Sequence, residues 1–258
     1  MTVLILGGTH GVEPQSSEFV DCLIKVLDPQ ITGKIPAIGL ETIVLEEIKK
    51  KGDYAAFAHK HYYQATSAYS LNKHLNTIKE KVNLIAVPRL NPYGLLRFTR
   101  GNGNKVDLNR NLPASNWEAS ELITGVFKNE ENPYYPGKSG GSEIENKVLL
   151  NIIEALNVNL IFSFHTNHFI KHRNSAQINY DGAGRLSSLA RSIAKECSLE
   201  FTNDIGYETP GSLGSYAKDQ ALDCITVEFE DTMSTEQIVK LYLDIFKQYI
   251  EGHLVGNY

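Results

Sequence analysis

Two histidines and two glutamates in this chain have the types and spacing for metal-assisted hydrolysis. His10 and Glu13 form an H-x-x-E pair within Gly8-Thr9-His10-Gly11-Val12-Glu13. That spacing brings an imidazole and a carboxylate to one cation across a tight turn, and Gly11 allows the backbone to approach closely. His165, in Ser163-Phe164-His165-Thr166, offers a second imidazole from the end of a predicted strand. Two imidazoles and one carboxylate hold zinc and leave a position open for water, as catalytic zinc requires. Taken singly, His10 reads as a loop histidine, Glu13 as a helix-start carboxylate favoured by the macrodipole, and His165 as a core histidine. Their joint occurrence points to one zinc ion per chain.

Such chemistry needs a proton carrier and a fixed set of donors. Glu228 interrupts the apolar strand Ile225-Thr226-Val227-Glu228-Phe229. An acid is costly there unless it has a use or a partner, and partial burial raises its pKa toward a range useful for base and acid work. A structural ion pair or a solvated sheet edge is its ordinary reading. Arg100 lies in Arg100-Gly101-Asn102-Gly103, ahead of Asp107-Leu108-Asn109-Arg110-Asn111. Arginines in a glycine-rich loop, with no basic run after them, suit bidentate recognition of a carboxylate. Arg100 can face an oxygen that gains charge, Asn109 adds a directional donor, and Asp107 orients its neighbours. A loop held by salt bridges is the bland alternative. Tyr207, in Gly206-Tyr207-Glu208-Thr209-Pro210-Gly211-Ser212, can close over a substrate, and Glu208 can meet a substrate amine. Packing is the commoner use of a tyrosine in a chain that has 13 of them.

The elements that position these residues follow from periodicity. Val3 to Leu6 is an apolar run ending in Gly7-Gly8, a buried strand. Phe19, Val20, Leu23, Ile24 and Leu27 have helical spacing, stopped by Asp28-Pro29. Ile43-Val44-Leu45, Val82 to Val87, Leu160 to Phe164 and Cys224 to Phe229 read as further strands. Ser142 and Glu145 have capping-box spacing before a helix through Ile144, Val148, Ile152 and Leu156. Ser234 and Gln237 cap a last helix with Ile238, Leu241 and Ile245. Leu186, Leu189, Ala190, Ile193, Ala194 and Cys197 trace one helical stripe. Interleaved strands and helices predict an α/β fold: one domain over 1–258, with a mixed, mainly parallel sheet and helices on both faces. Ligands in such sheets gather at strand ends, where His10, His165 and Glu228 fall. His59, His61 and His74 read as surface or half-buried histidines, while Asn167, His168 and His172 read as a solvated loop, with lining of the pocket as the alternative.

Composition narrows the classes. The chain has 258 residues, 42% hydrophobic and 21% charged, with a formal net charge of −5. That charge argues against a nucleic-acid partner, which usually meets a basic stripe. No run is long enough for a membrane span and no signal-peptide core is visible, so the expected location is cytoplasmic. Cys22, Cys197 and Cys224 are far apart in apolar patterns and read as reduced core thiols.

Together these residues resemble the zinc carboxypeptidase family: H-x-x-E, an arginine before D-x-N-R, a histidine closing a strand, then tyrosine and glutamate. Within that family the likeness is to the bacterial amidases of murein peptides. It rests on Gly-Gly-Thr-His-Gly, Val-Asp-Leu-Asn-Arg-Asn-Leu-Pro followed by Asn116-Trp117, Ser-Phe-His, Gly-Tyr-Glu-Thr-Pro-Gly-Ser and Cys-Ile-Thr-Val-Glu-Phe. The resemblance implies His10, Glu13 and His165 as zinc ligands and Glu228 as general base and acid. It implies Arg100 as oxyanion stabiliser, and Asn109, Arg110 and Tyr207 as binders of a terminal carboxylate. The implied reaction is hydrolysis of the γ-D-glutamyl–meso-diaminopimelate bond in small peptides from cell-wall turnover. Leu213 departs from members with an acid at that place, which select basic side chains. Residues 46–80 and 168–179 match no part of the pattern. An N-acyl amino acid deacylase of the desuccinylase type, another metallocarboxypeptidase and a catalytically silent peptide binder remain the alternatives, and the oligomeric state is open.

Overall fold

A computed structural model describes residues 1–27, 69–71, 83–119, 134–167, 176–205 and 207–253. The elements are β1 (Thr2–Leu6), α1 (Pro14–Leu27), β2 (Tyr69–Leu71), β3 (Asn83–Val87) and α2 (Pro92–Arg97), then a 3-10 turn at Leu108–Arg110. After these come α3 (Ile144–Ala155), β4 (Leu160–Thr166), β5 (Gln177–Asp181), α4 (Ser187–Cys197) and β6 (Glu200–Thr202). The chain continues through α5 (Leu213–Asp219), β7 (Asp223–Phe229) and α6 (Thr235–Gln248) to a π-helical end at Tyr249–His253. The predicted strand at 43–45 and the histidines at 59, 61, 74, 168 and 172 lie outside the described residues.

The strands form one sheet in the order β2-β3-β1-β4-β7-β5-β6. β3, β1, β4 and β7 run parallel, while β2 and β5 are antiparallel to β3 and β7. The expected mixed, mainly parallel sheet is therefore present. Central strands covered on both faces must be apolar throughout, and all of β1 is buried. Alternation then divides the side chains between two layers. Val3, Ile5, Phe162, Phe164, Val227 and Phe229 pack against α1, α4 and α6. Leu4, Leu6, Ile161, Cys224 and the buried face of α3 form the opposite layer with Leu213 and Ala217 of α5. Phe19, Phe164 and Phe229 meet with ring centroids 4.9 to 5.8 Å apart. Each such ring contributes roughly 1.5–3 kcal/mol by leaving water. It also anchors the strand whose next residue turns to the other face.

Two helix starts behave differently from each other. Ser234 and Gln237 do form the reciprocal capping box of α6. Ser142 and Glu145 do not cap α3, whose N-cap is Glu143. Ser142 Oγ donates instead to Glu143, and Glu145 accepts from Asn102 Nδ2 at 3.0 Å. The loop amide has taken the carboxylate that the box needed. On α6 the buried face is Ile238, Tyr242 and Phe246, with Leu241 turned to solvent. Among the described residues no helix is long and apolar enough to cross a membrane. Cys197 and Cys224 are buried free thiols, and Cys22 is half-buried.

Candidate active site

The register sets the site. Leu6 lies level with Ser163, so the chain leaving β1 arrives beside His165. On the other side His165 pairs with Glu228. Alternation turns Ser163, His165, Thr226 and Glu228 to the face opposite the phenylalanines. After β1 the loop folds tightly, with the Glu13 N–H donating to the His10 carbonyl at 3.2 Å. Gly11 sits against the backbone of Gly94, where a Cβ would overlap it, and its N–H donates to the Thr99 carbonyl at 3.0 Å. Pro14 then opens α1, a position where its missing N–H costs nothing.

This geometry gathers the expected ligand atoms. Among the described residues His10, Glu13 and His165 are buried, with ligand atoms all within 4.8 Å of one another. His10 Nδ1 lies 2.8 Å from Glu13 Oε1, and His165 Nδ1 lies 3.1 Å from Glu13 Oε2. The remaining ring nitrogens face fixed partners, His10 Nε2 with Asp107 Oδ1 at 3.0 Å and His165 Nε2 with Ser163 Oγ at 3.1 Å. Two imidazoles oriented through their far nitrogens and one carboxylate fit zinc, which favours this donor set and this outer support.

The electrostatics are those of a dense charged cluster. Burial favours the neutral form of Glu13, but His10 and His165 outweigh it and hold the carboxyl well below the usual range. Burial likewise opposes ionisation of Asp107, and Arg100 and His10 override it. Burial and Arg100 disfavour a charged His10, yet Glu13 and Asp107 leave its pKa raised. Arg100 Nε donates to Asp107 Oδ2 at 2.9 Å, and its Nη1 lies 3.5 Å from Glu13. Glu228 differs from the other acids. It is only 7% exposed and has no hydrogen bond or ion pair among the described residues. The structural ion pair that would explain it blandly is not formed with any described residue. Burial pushes its pKa up to about 8, with Glu13 adding to the rise and His165 opposing it.

These groups open into one pocket. Its wall includes His10, Glu13, Arg100, Asn109, Arg110, His165, Tyr207 and Glu228, which brings together every predicted site residue. Arg110 is 2% exposed, and its Nε and Nη2 are buried without a hydrogen-bond partner. Asn109 Oδ1 accepts from the Leu213 N–H at 2.9 Å, which orients its amide donors. Tyr207 brings its ring to 5.9 Å from the Arg110 guanidinium carbon. Burial raises its pKa, opposed by Arg110.

The zinc carboxypeptidase profile matches residues 55–240. The chain belongs to the zinc carboxypeptidase family. The match begins after His10 and Glu13 but contains Asp107, Asn109, Arg110, His165, Tyr207 and Glu228. Murein peptide amidase A of Escherichia coli (strain K12) is 32% identical over 167 residues, 64% of this chain and 64% of that protein. Murein peptide amidase A of Vibrio campbellii is 30% identical over 172 residues, 66% of this chain and 63% of that protein. The aligned stretch thus spans just under two thirds of either relative. The crystal structure of murein-tripeptide amidase from Escherichia coli O157 superposes with a TM-score of 0.63 at 25% identity, covering 98% of this chain and 82% of that one.

Several residues of this zinc carboxypeptidase site escaped the sequence reading. Tyr134 lies under both arginines, with Arg100 and Arg110 guanidinium carbons 4.8 and 5.5 Å from its ring centre. Asn179, Asp181 and Thr226 also line the pocket. Burial pushes the Asp181 carboxyl up to about 6, against the pull of Lys218 and the Asn179 amide. The acid expected on the tyrosine loop is misplaced: Glu208 is exposed and does not line the pocket. Asn167 is buried rather than solvated, its Oδ1 accepting from the Asp231 N–H at 3.0 Å.

Proposed function

We propose that this chain is a zinc-dependent amidase-carboxypeptidase that hydrolyses the γ-D-glutamyl–meso-diaminopimelate bond of murein peptides. A cytoplasmic location is part of the same proposal. The observation that carries it is the convergence of His10, Glu13 and His165 beside a buried Glu228 that no described residue pairs with. The likeness to murein peptide amidases supports the choice of substrate.

In this reading His10 Nδ1, His165 Nδ1 and the Glu13 carboxylate hold one zinc ion. Zinc bound there polarises the scissile carbonyl and lowers the pKa of water toward about 7. Glu228 takes a proton from the attacking water and returns it to the leaving amine, a task suited to a carboxylate of raised pKa. Arg100, held by Asp107, donates to the carbonyl oxygen as it gains negative charge. Arg110 offers its unmatched donors to the terminal carboxylate of the substrate, and Asn109 adds a further donor. Tyr207 closes over that carboxylate and keeps water from it.

The test is mass spectrometry of products from zinc-loaded protein given a panel of muropeptides and N-succinylglutamate. Release of diaminopimelate from the tripeptide is expected. Release of succinate instead would assign a deacylase. Stoichiometric zinc without turnover of any member would favour a silent peptide binder.

A further inference from the structure

Asn116 and Trp117 follow the arginine segment in the sequence pattern, yet neither lines the pocket. They end a strap that leaves Arg110, buries Leu112 and Ala114, and turns back over the start of α5. Its turns are closed by the Ala114 N–H on the Leu112 carbonyl at 2.8 Å and the Trp117 N–H on the Ala114 carbonyl at 2.9 Å. The strap holds Gly211 through both of that residue's backbone polar groups. The Gly211 carbonyl accepts from the Leu112 N–H at 2.9 Å, and the Gly211 N–H donates to Asn116 Oδ1 at 3.1 Å. An N–H only donates, so this bond fixes the orientation of the Asn116 amide. Its Nδ2 then donates to Ser215 Oγ at 3.0 Å. Gly211 has a φ of +66°, and a Cβ there would overlap the Arg110 carbonyl and the Trp117 ring. The glycine is wedged between the arginine segment and the strap, a fit that no other residue allows.

The same segment grips α5 at both ends. Asn109 Oδ1 takes the N–H of Leu213, its first residue, and Ser115 Oγ donates at 2.9 Å to Asp219, its last. The hold passes back along the chain toward the pocket. The Thr209 carbonyl accepts from the Ser212 N–H at 3.2 Å and from Ser215 Oγ at 3.3 Å. Ser215 Oγ is the atom that Asn116 Nδ2 reaches, and a hydroxyl that donates to Thr209 keeps lone pairs to accept from Asn116. Pro210 fixes φ between Thr209 and Gly211. Tyr207 stands two residues before Thr209, with its ring over the Arg110 guanidinium at 5.9 Å. Among the described residues Tyr207 and Glu208 make no backbone–backbone hydrogen bond. The place of the tyrosine is therefore set by where residues 209–211 are tied, and one side chain, Asn116, contributes to both ties.

We infer that Asn116 is a positioning residue: by holding Gly211 and Ser215 it sets Tyr207 over Arg110 in the arrangement that grips the terminal carboxylate of the substrate. It touches no reacting atom and acts through Tyr207. The inference rests on the carboxylate-binding role proposed for Tyr207 and Arg110. A strap that only supported α5 would matter equally whether or not Tyr207 were present, and the test separates the two.

Four zinc-loaded proteins make the cycle: wild type, Asn116→Ala, Tyr207→Ala and the double variant. Each is given alanyl-γ-D-glutamyl-diaminopimelate, and kcat and KM are measured separately. Asn116→Ala is expected to lower kcat/KM about tenfold, chiefly through KM, because two neutral hydrogen bonds that place a binding group are lost. In the Tyr207→Ala background the same substitution is expected to change kcat/KM by less than about twofold, since residues that act as one unit are not additive. An equal loss in both backgrounds, a loss confined to kcat, or no loss in wild type overturns the inference. If no protein cleaves the peptide the hydrolase reading falls. The same four proteins are then titrated with free diaminopimelate by calorimetry. A Kd raised about tenfold by Asn116→Ala only where Tyr207 is present supports the inference, whereas equal shifts in both backgrounds, equal affinities in all four proteins or an absence of binding overturn it.

Discussion

His10 Nε2 lies 3.0 Å from Asp107 Oδ1, and the second oxygen of that carboxylate accepts from Arg100 at 2.9 Å. One buried acid therefore ties a proposed metal ligand to the proposed oxyanion donor. By accepting from Nε2–H it fixes the tautomer that leaves the Nδ1 lone pair turned toward Glu13. Asp107→Asn can present its NH2 to the ring and favour the wrong tautomer. Zinc affinity is expected to fall about 10- to 100-fold, as for other orienting partners of metal-bound histidines. Competition titration with a zinc chelator measures this, and an unchanged dissociation constant would remove Asp107 from that role.

Glu228 is a different kind of buried acid, because it forms no ion pair among the described residues and burial outweighs the favourable charges of His165, Arg100 and Arg110. Glu228→Gln keeps the shape and is expected to retain stoichiometric zinc while kcat falls by at least about 10²–10⁴-fold. The base must be ionised, so wild-type kcat/KM should rise with pH on an acid limb. That limb lies below the value of about 8 to which burial pushes Glu228, because a bound cation favours the carboxylate. The variant should lose the limb together with the rate. Near-normal turnover would assign proton transfer to another group.

Much of this site was legible in the sequence because its parts sit on short, regular signals. Val3 to Leu6 and Leu160 to Phe164 had to be buried strands, and the residues just beyond them had to meet at the carboxyl ends of those strands. The H-x-x-E turn and Arg110 were legible for the same reason. Asn179 and Asp181 were not, although Gln177, Ile178, Asn179, Tyr180 and Asp181 alternate as a strand should. Their importance depends on β5 pairing antiparallel with β7, a register that no local pattern encodes. The false capping box at Ser142 failed similarly, because Asn102 lies far away in sequence and competes for Glu145. Glu208 was misread because a turn-rich segment does not reveal which residue faces inward. The apolar Leu213 suggested a pocket without an acid, while β5 supplies one from another element.

Arg110 carries two buried donors that no described group accepts from, a cost of the kind proteins keep for a ligand. Arg110→Lys retains the charge but not the planar fork. It is expected to lower kcat/KM about 50- to 100-fold for peptides with a free terminal carboxylate, chiefly through KM, since charged hydrogen bonds contribute about 1.5–3 kcal/mol. An otherwise identical substrate with an amidated terminus should distinguish the variant from wild type by much less. Equal losses on both substrates would mean that Arg110 supports the loop rather than the carboxylate.

Asp181 should reveal its purpose through stability. Its pKa is raised from 3.8 to about 6 by burial, so ionising it disfavours the folded state. The sign follows from linkage: the penalty is absent below about pH 4 and complete above about pH 6. Asp181→Asn keeps an acceptor for the Asn179 amide and removes the charge. The variant is expected to be more stable than wild type at pH 7.5 by about 1–2 kcal/mol, discounting the full shift for the open side of the pocket. The gain should shrink toward zero as the pH falls to 4. Thermal unfolding of both proteins across that range measures it, at roughly 2–4 °C per kcal/mol for a chain of this size. A loss of stability independent of pH would show that Asp181 supports the fold. The predicted gain would instead mean that the chain tolerates a buried anion in the pocket wall at a cost in stability.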